Sequence, residues 1–423
     1  MRNLLYILPL FILASTFTGN PPGWYELMLP INDQVNDIYF TDSLNGWIVT
    51  KGDNSPPDTG YILHTSDGGS NWEVQFSHVG DFAAIQFLDN NTGYAYGFVG
   101  FTRFYKTTDG GVNWINLSGG VPLFGADDMQ FLNKDTGWIC SNDPVIAGGI
   151  AKTTNGGINW VQQLGTTERP HKLFFIDANT GWALGSNNNL YKTVNGGNIW
   201  NIQYGFIQSI HDIFIISQDT GWILGTGDFG SLNGIFKTTN GGINWNRQQD
   251  PDPSFSACLK LFFIDNKTGW ISCGFGSILK TTDGINWGIQ YPPSGNYFTI
   301  QSIDSSISYA GGTKMIKTTD GGGPVSSIQL INNEIPVNFE LYQNYPNPFN
   351  PTTYIKFNIK QSGFVKLNVF DIAGKEVDVL VNAELSIGEY EYKFDGTGLS
   401  SGIYFYRIQT KAFTDIKKMI LVK

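Results

Sequence analysis

The sequence is poor in cysteine and in charge. Only 15% of its 423 residues are charged, and there are 3 cysteines, at positions 140, 258 and 273. Three cysteines are too few for a disulfide framework, and none has metal-site spacing, so we expect no metal and no cofactor. Cys258 and Cys273 fall on successive predicted strands of one hairpin, which leaves a bridge in an oxidising compartment open. Our main interpretation is that Cys140, Cys258 and Cys273 are all buried small residues.

Positive charge is especially scarce. The formal net charge is -10, and the excess of acidic residues lies in residues 1–335, whereas the last stretch of the chain is nearly balanced. Each phosphate contact needs a Lys or Arg to replace a counterion. We therefore expect no nucleic-acid partner and no binding to anionic lipid through this acidic part.

Long hydrophobic runs are absent except at the start. An apolar run from Leu4 to Phe17 follows Arg2, and small residues stand near Gly19. This pattern predicts a signal peptide over residues 1–19. The alternative, a membrane anchor, is disfavoured because a spanning helix needs about 20 apolar residues. We expect no transmembrane segment.

Glycine and aromatic residues are abundant, with 51 Gly, 30 Phe, 19 Tyr and 12 Trp, as expected for short strands joined by tight turns. Two motifs alternate along the chain. The first is a hairpin with a turn Asp-x-x-Thr-Gly followed by an aromatic residue: Trp47, Tyr94, Trp138, Trp182, Trp222, Trp270 and, in decayed form, Tyr309. The second is Lys-Thr-x-Asp/Asn-Gly-Gly-x-x-Trp, as in Lys106 to Trp114. Such self-similarity predicts a repeat fold.

Each repeat reads as four antiparallel strands, which we call a, b, c and d, and such a unit is one blade of a β-propeller. The seventh unit begins its second motif at Lys317 but has no Trp and no strand d. The missing piece resembles the segment around Trp24, just after the signal peptide. We therefore predict an all-β fold with a seven-bladed propeller over residues 22–324, closed by an N-terminal strand at residues 23–29.

At its second motif the chain resembles the Asp-box, or BNR, repeat family, and the whole unit resembles propellers of the photosystem II assembly-factor type. Thr and Asp or Asn can accept backbone N–H groups within the c–d turn, and Gly supplies the positive φ. A turn acceptor needs no charge, which explains why Asn replaces Asp in several repeats. We therefore interpret the following turn residues as structural rather than catalytic: Asp67, Asp109, Asn155, Asn195, Asn240, Asp283 and Asp320.

After the repeats, residues 325–338 are predicted to be a linker and residues 339–423 a second domain. The run Tyr345-Pro346-Asn347-Pro348-Phe349, the segment from Val369 to Val377 and the ending from Lys417 to Lys423 resemble the type A C-terminal sorting domain of the type IX secretion system. The resemblance implies a small Ig-like β-sandwich that serves as export and anchoring signal. The residues that it assigns to the sorting motif are Pro346, Asn347, Pro348, Gly374, Gly402, Tyr404, Lys417 and Lys418.

The a–b and c–d turns have nearly constant length, whereas the b–c loops and d–a connections vary. In an antiparallel blade these two sets lie on opposite faces, and recognition usually lies in variable loops on a rigid scaffold. We therefore expect ligand binding on the b–c/d–a face. His171 and His211 occupy equivalent positions in adjacent repeats, with Asp127 at that position in the repeat before. The candidate residues are Asp127, Asp128, Arg169, His171, His211 and Asp212.

The favoured function is a non-catalytic binding or scaffold propeller, exported by way of the periplasm and then secreted or attached to the outer cell surface. Its expected partners are the type IX machinery, through the tail, and a surface polysaccharide or envelope protein, through the propeller. The alternative is a secreted glycoside hydrolase, which needs two placed carboxylates or an Arg cluster with a Tyr nucleophile. We assign no catalytic residue, and all twelve Trp residues fall at motif positions rather than at a sugar platform.

Overall fold

A computed structural model of the chain describes residues 23–52, 58–98, 102–122, 125–141, 148–164, 169–185, 189–203, 209–226, 233–248, 258–290, 295–322, 328–332, 336–361, 363–385 and 387–423. The predicted signal peptide lies outside these ranges. Within them the regular structure consists of β-strands and two single-turn 3-10 helices, Ser118–Gly120 and Gly274–Gly276. No helix among the described residues is long and apolar enough to cross a membrane.

Seven four-stranded antiparallel sheets form the first part of the chain. Blades 1 to 3 contain β2 (Val35–Phe40), β3 (Gly46–Thr50), β4 (Thr59–Thr65), β5 (Glu73–Val79); β6 (Asp81–Phe87), β7 (Gly93–Phe98), β8 (Thr102–Thr107), β9 (Ile115–Asn116); and β10 (Asp128–Phe131), β11 (Gly137–Ser141), β12 (Gly149–Thr153), β13 (Val161–Leu164). Blades 4 and 5 contain β14 (Pro170–Phe175), β15 (Gly181–Gly185), β16 (Leu190–Thr193), β17 (Asn201–Gln203); and β18 (Ser209–Ile215), β19 (Gly221–Thr226), β20 (Asn233–Thr238), β21 (Asn246–Arg247). Blade 6 contains β22 (Cys258–Phe263), β23 (Gly269–Cys273), β24 (Ile278–Thr281) and β25 (Trp287–Gln290), and blade 7 contains β26 (Tyr297–Ser302), β27 (Ser308–Gly312), β28 (Met315–Thr318) and β1 (Trp24–Leu27).

The seven sheets close into a ring. Each innermost strand contacts that of the next blade, and β26 of the last blade contacts β2 of the first. The closing strand comes from the other end of the propeller, since β1 pairs antiparallel with β28 and places Trp24 opposite Thr318. The Gly23 N–H donates to Asp320 Oδ2 over 2.8 Å, and Trp24 Nε1 donates to Gln290 Oε1 over 3.0 Å. The predicted seven-bladed propeller and its N-terminal closing strand are confirmed.

Neighbouring blades are joined by an aromatic sandwich. In five blades a Phe near the end of strand a stacks face to face on the hairpin aromatic of the preceding blade, as in the pair Phe87 and Trp47 at 3.6 Å between ring centroids. The edge of the blade's own c–d turn Trp meets the same ring, as Trp114 does at 6.0 Å and 90°. Burying these rings and matching their geometry stabilises the contact between blades. The Phe residues of this sandwich are Phe40, Phe87, Phe131, Phe175 and Phe263.

The repeated Lys of the second motif crosses the same boundary. Lys192 lies 4.7 Å from the centre of the Trp182 ring and donates a hydrogen bond of 2.8 Å to the carbonyl of Gly241, in the c–d turn of the next blade. Around the ring seam, Lys317 of blade 7 donates to the Gly68 carbonyl of blade 1 over 2.8 Å. Burial lowers the pKa of both lysines. The motif Lys therefore joins neighbouring blades and is not simply a charge on the protein surface.

The c–d turns are built as the sequence predicts. In blade 1, Thr65 Oγ1 donates to Asp67 Oδ1 and accepts the N–H of Gly69, while the Asn71 N–H donates to Asp67 Oδ1 over 2.8 Å. Asn155 takes the same role in blade 3, where its Oδ1 accepts the Asn159 N–H over 2.9 Å. The side-chain oxygen is the group in use, so Asp and Asn are equivalent here.

The last part of the chain is an antiparallel β-sandwich. One sheet has the strand order β29 (Ile328–Asn332), β34 (Gly388–Asp395), β31 (Thr352–Ile359), β30 (Glu340–Leu341), and the other β33 (Glu376–Leu385), β32 (Gly363–Phe370), β35 (Gly402–Thr410), β36 (Thr414–Leu421). A single apolar core that includes Ile355, Leu367 and Tyr406 lies between them. The predicted linker at residues 325–338 is wrong over β29, which pairs with β34 and extends the sandwich at its N-terminal end.

The three cysteines are buried. Cys258 and Cys273 face each other across β22 and β23 and form a disulfide, which settles the alternative that the sequence left open. Cys140 is unpaired, and burial, reinforced by the carboxylates of Asp128 and Asp127, raises the pKa of its thiol well above the ordinary value. Cys140 is therefore protonated and acts as a small core residue.

Truncation of Trp24 tests the ring closure. We expect Trp24→Ala to lower the free energy of unfolding by about 3 kcal/mol, since it removes a buried indole between blades 6 and 7. Met28→Ala, at an 80% exposed side chain just after the same strand, is the matched control and should change stability little. Chemical denaturation of both variants measures the effect. Equal stabilities would show that β1 does not hold the ring together.

Candidate functional site

The innermost strands line a central channel. Three residues of each strand line a cavity of about 180 Å³. The first of the three in each blade gives a set of seven side chains. Five of these seven side chains are charged, and none of the other two is large. We call this set the inner ring: Asp37, Ala84, Asp128, Lys172, Asp212, Lys260 and Thr299. The ring lies near the amino-terminal end of each strand a, which is the end at the b–c/d–a face.

A β-bulge precedes the inner ring. In six blades the register between strands a and b shifts at the residue just before the ring position. In blade 3 the Asp127 N–H donates to the Cys140 carbonyl although Asp128 is the residue opposite Cys140. Bulges re-aim side chains next to functional sites. We call the seven bulge residues the mouth ring: Asn36, Ala83, Asp127, His171, His211, Leu259 and Phe298.

The acidic members of the inner ring bind the backbone of the following blade. Asp128 Oδ2 accepts the N–H of Leu173 over 3.0 Å, and Asp212 Oδ2 accepts the N–H of Leu261 over 2.7 Å. Asp37 does the same for Ile85 over 3.1 Å. The three carboxylates stand on alternate blades, 1, 3 and 5. Each therefore joins two blades through a charge-assisted hydrogen bond.

Lys172 lies between two of these carboxylates. Its Nζ is 3.5 Å from Asp128 Oδ1 and 3.7 Å from Asp212 Oδ1, on the blades before and after its own. Burial lowers the pKa of Lys172, but the carboxylates of Asp128, Asp212 and Asp37 outweigh burial and raise it well above the ordinary value. The lysine is therefore charged, and Asp128, Lys172 and Asp212 form a buried charged triad across three blades.

A second layer closes the channel below the inner ring. Gln130 donates to the Phe175 carbonyl over 2.9 Å and accepts the Phe175 N–H over 2.6 Å, and Gln86 and Gln301 bind the next blade in the same way. Blades 4 to 6 carry Phe at this position instead, and Phe214 lies 5.0 Å from Phe174 and 5.4 Å from Phe262. The floor of the cavity is thus rigid and partly aromatic.

His171 is also bound to the next blade. Its Nε2 lies 3.1 Å from the Ile210 carbonyl, which can only accept, so Nε2 carries a proton and donates it. Asn36, at the same mouth-ring position in blade 1, donates from Nδ2 to the Phe82 carbonyl over 2.7 Å. Burial lowers the pKa of His171, and the hydrogen bond to Ile210 opposes that change. The imidazole is therefore neutral near pH 7.

The six predicted ligand-binding residues divide into two sets. Asp128, Asp212 and His171 bind neighbouring blades, and their polar atoms stabilise the ring. Asp127, Arg169 and His211 are exposed at the mouth. Arg169 is the one non-glycine residue in the described ranges with positive φ, at 43°, a backbone conformation that concentrates at functional sites. The described residues contain no group of three or more His, Cys, Asp or Glu side chains placed to hold a metal.

The opposite face carries exposed apolar side chains that the sequence interpretation missed. The residue that follows the glycines of the c–d turn is aliphatic in several blades, and Val112 is 73% exposed. In blade 6 the turn has a single glycine, Gly284, before Ile285. The sequence does contain a signal for this surface, because the first position after the glycines of the second motif is unusually apolar for a turn. The side chains concerned are Val112, Ile158, Ile243 and Ile285, with Val194 and Ile199 in blade 4.

Residues of the predicted sorting motif meet around the final strand. The Ile420 N–H donates to Asn347 Oδ1 over 2.9 Å, and Thr353 Oγ1 donates to the Pro346 carbonyl over 2.7 Å. Next to Pro348, the Phe349 N–H donates to the Ile420 carbonyl over 2.9 Å. Gly402 and Tyr404 lie on β35, opposite Leu421 and Met419, and Lys417 and Lys418 lie on β36. Gly374 stands apart in the β32–β33 turn with a φ of 78°.

Comparisons with known proteins agree with the propeller and with the C-terminal sandwich. Residues 343–423 match the family of the secretion system C-terminal sorting domain, and residues 19–168 match the family of photosynthesis system II assembly factor YCF48. The two resemblances inferred from the sequence are confirmed. No curated protein matches the sequence.

Solved structures show the propeller fold. YCF48 bound to D1 peptide is similar at a TM-score of 0.57 and 20% identity over 71% of this chain and 98% of that one. YCF48 from Cyanidioschyzon merolae has a TM-score of 0.56 and 20% identity over 70% and 98% of the two chains. The WD40 propeller domain of Doa1 has a TM-score of 0.54 and 10% identity over 71% and 98%.

Neutralising Lys172 tests the structural role of the inner ring. We expect Lys172→Met to destabilise the protein by about 3 kcal/mol, because it leaves two buried carboxylates without their cation. Lys134→Met, at an exposed turn of blade 3, is the control and should be nearly neutral. Urea denaturation at neutral pH measures both. Equal midpoints would mean that the triad contributes nothing to the ring.

Replacing His171 tests its neutral state. Because its folded pKa lies below the ordinary value of 6.5, the unfolded chain binds the proton first. Its contribution to stability is therefore present above pH 6.5 and is lost as the pH falls through the folded pKa. His171→Asn keeps a donor for Ile210, so it should lose less stability than the wild type between pH 7.5 and pH 5.5 in urea titrations. His211→Asn, at the exposed equivalent position, is the control. Parallel losses in wild type and His171→Asn would contradict the assignment.

Proposed function

We propose that this protein is an exported binding propeller without catalytic activity, which holds a partner at the cell surface through its b–c/d–a face. The match of residues 343–423 to secretion sorting domains supports export by the type IX route. A signal peptide at residues 1–19 would deliver the chain to the periplasm, and the tail would then direct it through the outer membrane. The mature protein is released or attached to the outer surface.

At the channel mouth, some polar side chains bind neighbouring blades and others are exposed to solvent, and this difference supports a binding function. The three aspartates of the inner ring bind backbone groups of the next blade, as do the three glutamines of the layer below, so hydrogen bonds between blades hold the mouth in place. Asp127, Arg169 and His211 project from that rigid rim to solvent. Exposed polar groups on a preorganised scaffold lose little freedom on binding. This arrangement suits recognition of a partner.

The same network argues against a glycoside hydrolase. Such an enzyme needs one carboxylic acid that donates a proton and a second carboxylate that acts as nucleophile or base. Asp128 and Asp212 each accept a backbone N–H and share the ammonium of Lys172. Both carboxylates therefore already have partners within the ring, a backbone N–H and the ammonium of Lys172. They serve the fold rather than acid–base chemistry.

An envelope protein is the favoured partner over a polysaccharide. Sugar-binding surfaces usually offer exposed aromatic platforms, yet all twelve Trp residues lie in the described ranges and none of them is exposed. A structural neighbour of this propeller, YCF48, has been solved bound to a peptide. We therefore favour a polypeptide segment that lies across the mouth ring.

A binding screen tests the proposal. Full-length protein would be immobilised and exposed to solubilised envelope proteins and, separately, to surface polysaccharides. We expect capture of an envelope protein, weakened about tenfold or more by the triple variant Asp127→Ala, Arg169→Ala, His211→Ala. The matched control is Val112→Ser with Ile158→Ser on the opposite face, which should bind as the wild type does.

Two outcomes would contradict the proposal. Loss of binding in the control but not in the triple variant would move the site to the c–d turn face. Reducing-sugar release from a polysaccharide that Asp128→Asn or Asp212→Asn abolishes, in a variant that remains folded, would establish the hydrolase instead.

A further inference from the structure

The two outer faces of the C-terminal sandwich differ in chemistry. On the sheet that contains β31 and β34, the outward residues are mainly polar and charged, as in the cross-strand pairs Lys356 with Glu391 and Asn358 with Glu389. On the sheet that contains β35 and β36, the outward positions hold large apolar residues with cations among them. We call this second surface the β35–β36 face: Ile403, Phe405, Arg407, Ile416, Lys418 and Ile420.

These six side chains are contiguous. Ile403 stands opposite Ile420, Phe405 opposite Lys418, and Arg407 opposite Ile416. Ile403 is 40% exposed and Ile416 54% exposed. The alternate residues of the same strands, such as Tyr406 and Met419, are fully buried in the core. A sheet needs only one apolar face to build its own core, so apolar residues on the second face are not explained by folding.

The cations are placed within the apolar surface rather than around it. The Arg407 guanidinium lies over the Phe370 ring of β32, 4.7 Å from its centre. Lys418 lies across from Phe405, between Ile416 and Ile420 along its own face of the strand. Among the described side chains, no carboxylate lies within 4 Å of either cation. Two acidic residues of this sheet, Glu376 and Asp415, are paired with Lys366 at 3.9 Å and with Lys417 at 3.4 Å. A partner that covers this face must supply carboxylates, since a buried unpaired cation is costly.

Asn347 of the sorting motif and the nearby Gln343 bind the edge of this face. The side chain of Gln343 donates to the Lys418 carbonyl over 2.7 Å, and Asn347 accepts the N–H of Ile420. Both contacts fix the outer edge of β36, which would otherwise present unpaired backbone groups. The segment from Gln343 to Phe349 thus pairs with the free edge of β36.

We infer that the β35–β36 face is the surface through which the tail docks on a protein of the export machinery, one that presents an apolar groove with acidic side chains. A second copy of this chain fits poorly, because a twofold pairing would set Arg407 and Lys418 against like charges. Hydrocarbon fits poorly as well, because it offers no counter-charge to cations in the middle of the face. This inference rests on the proposed export.

Secretion of the full-length protein tests the inference. The chain would be produced in a bacterium with a type IX system, and the amounts in periplasm, on the surface and in the medium would be compared. We expect Ile403→Asp with Ile416→Asp to reduce the exported fraction to about a tenth or less, with accumulation in the periplasm. The control is Tyr354→Asp on the opposite sheet, where Tyr354 is 42% exposed, and it should be exported normally.

A second pair of substitutions and a truncated chain distinguish the possible outcomes. If the double variant fails to fold, the charge reversal Arg407→Glu with Lys418→Glu replaces it, with the same expected block. Normal export of these variants while a chain lacking residues 336–423 is retained would overturn the docking face but leave export by the tail intact. Export of that truncated chain would overturn both. Normal export of the variants with loss of surface attachment would assign the face to anchoring and overturn the inference.

Discussion

The structure depends on the contact between one blade and the next. A single blade cannot bury both of its faces, so every sheet needs two neighbours, and the ring needs its last gap filled. Stacked pairs such as Trp47 with Phe87, and the Lys192 side chain that reaches the Gly241 carbonyl, repeat that contact around the axis. At the seam β1 supplies the outer strand of blade 7, so that the two ends of the propeller share one sheet.

Closure has a consequence for the channel. Once seven inner strands face one axis, their polar side chains lie close to one another and must be satisfied in a small space. The triad of Asp128, Lys172 and Asp212 does this by matching two carboxylates with one cation and two backbone donors. In blades 3 and 5 the residue just before the buried carboxylate, Asp127 or His211, is exposed at the mouth.

Features that recur in every repeat were predictable from the sequence, because an interpretation of one repeat can be checked against the other six. Seven blades, the role of the c–d turn and closure by Trp24 follow from spacing alone. The charged triad was not predictable, because Lys172 belongs to neither repeated motif. Its partners Asp128 and Asp212 are 44 and 40 positions away in the sequence, and only the ring brings them close to it. Asp128 and Asp212 were predicted as ligand-binding residues of the b–c/d–a face, but their structural role depends on backbone groups that a sequence does not display. The strand β29 was missed because its pairing with β34 is long-range.

In the C-terminal sandwich the inner faces of the two sheets form the core, whereas Ile403 and Ile416 on the outer face of one sheet are exposed. We conclude that the propeller is one closed, cooperative ring with a rigid mouth. Native-state hydrogen exchange of the full-length protein tests this most directly. The account predicts that backbone amides of β1 and β28 exchange only with global unfolding, as slowly as those of β15 in the middle of the ring. Fast local exchange at β1 and β28 beside a protected β15 would contradict it.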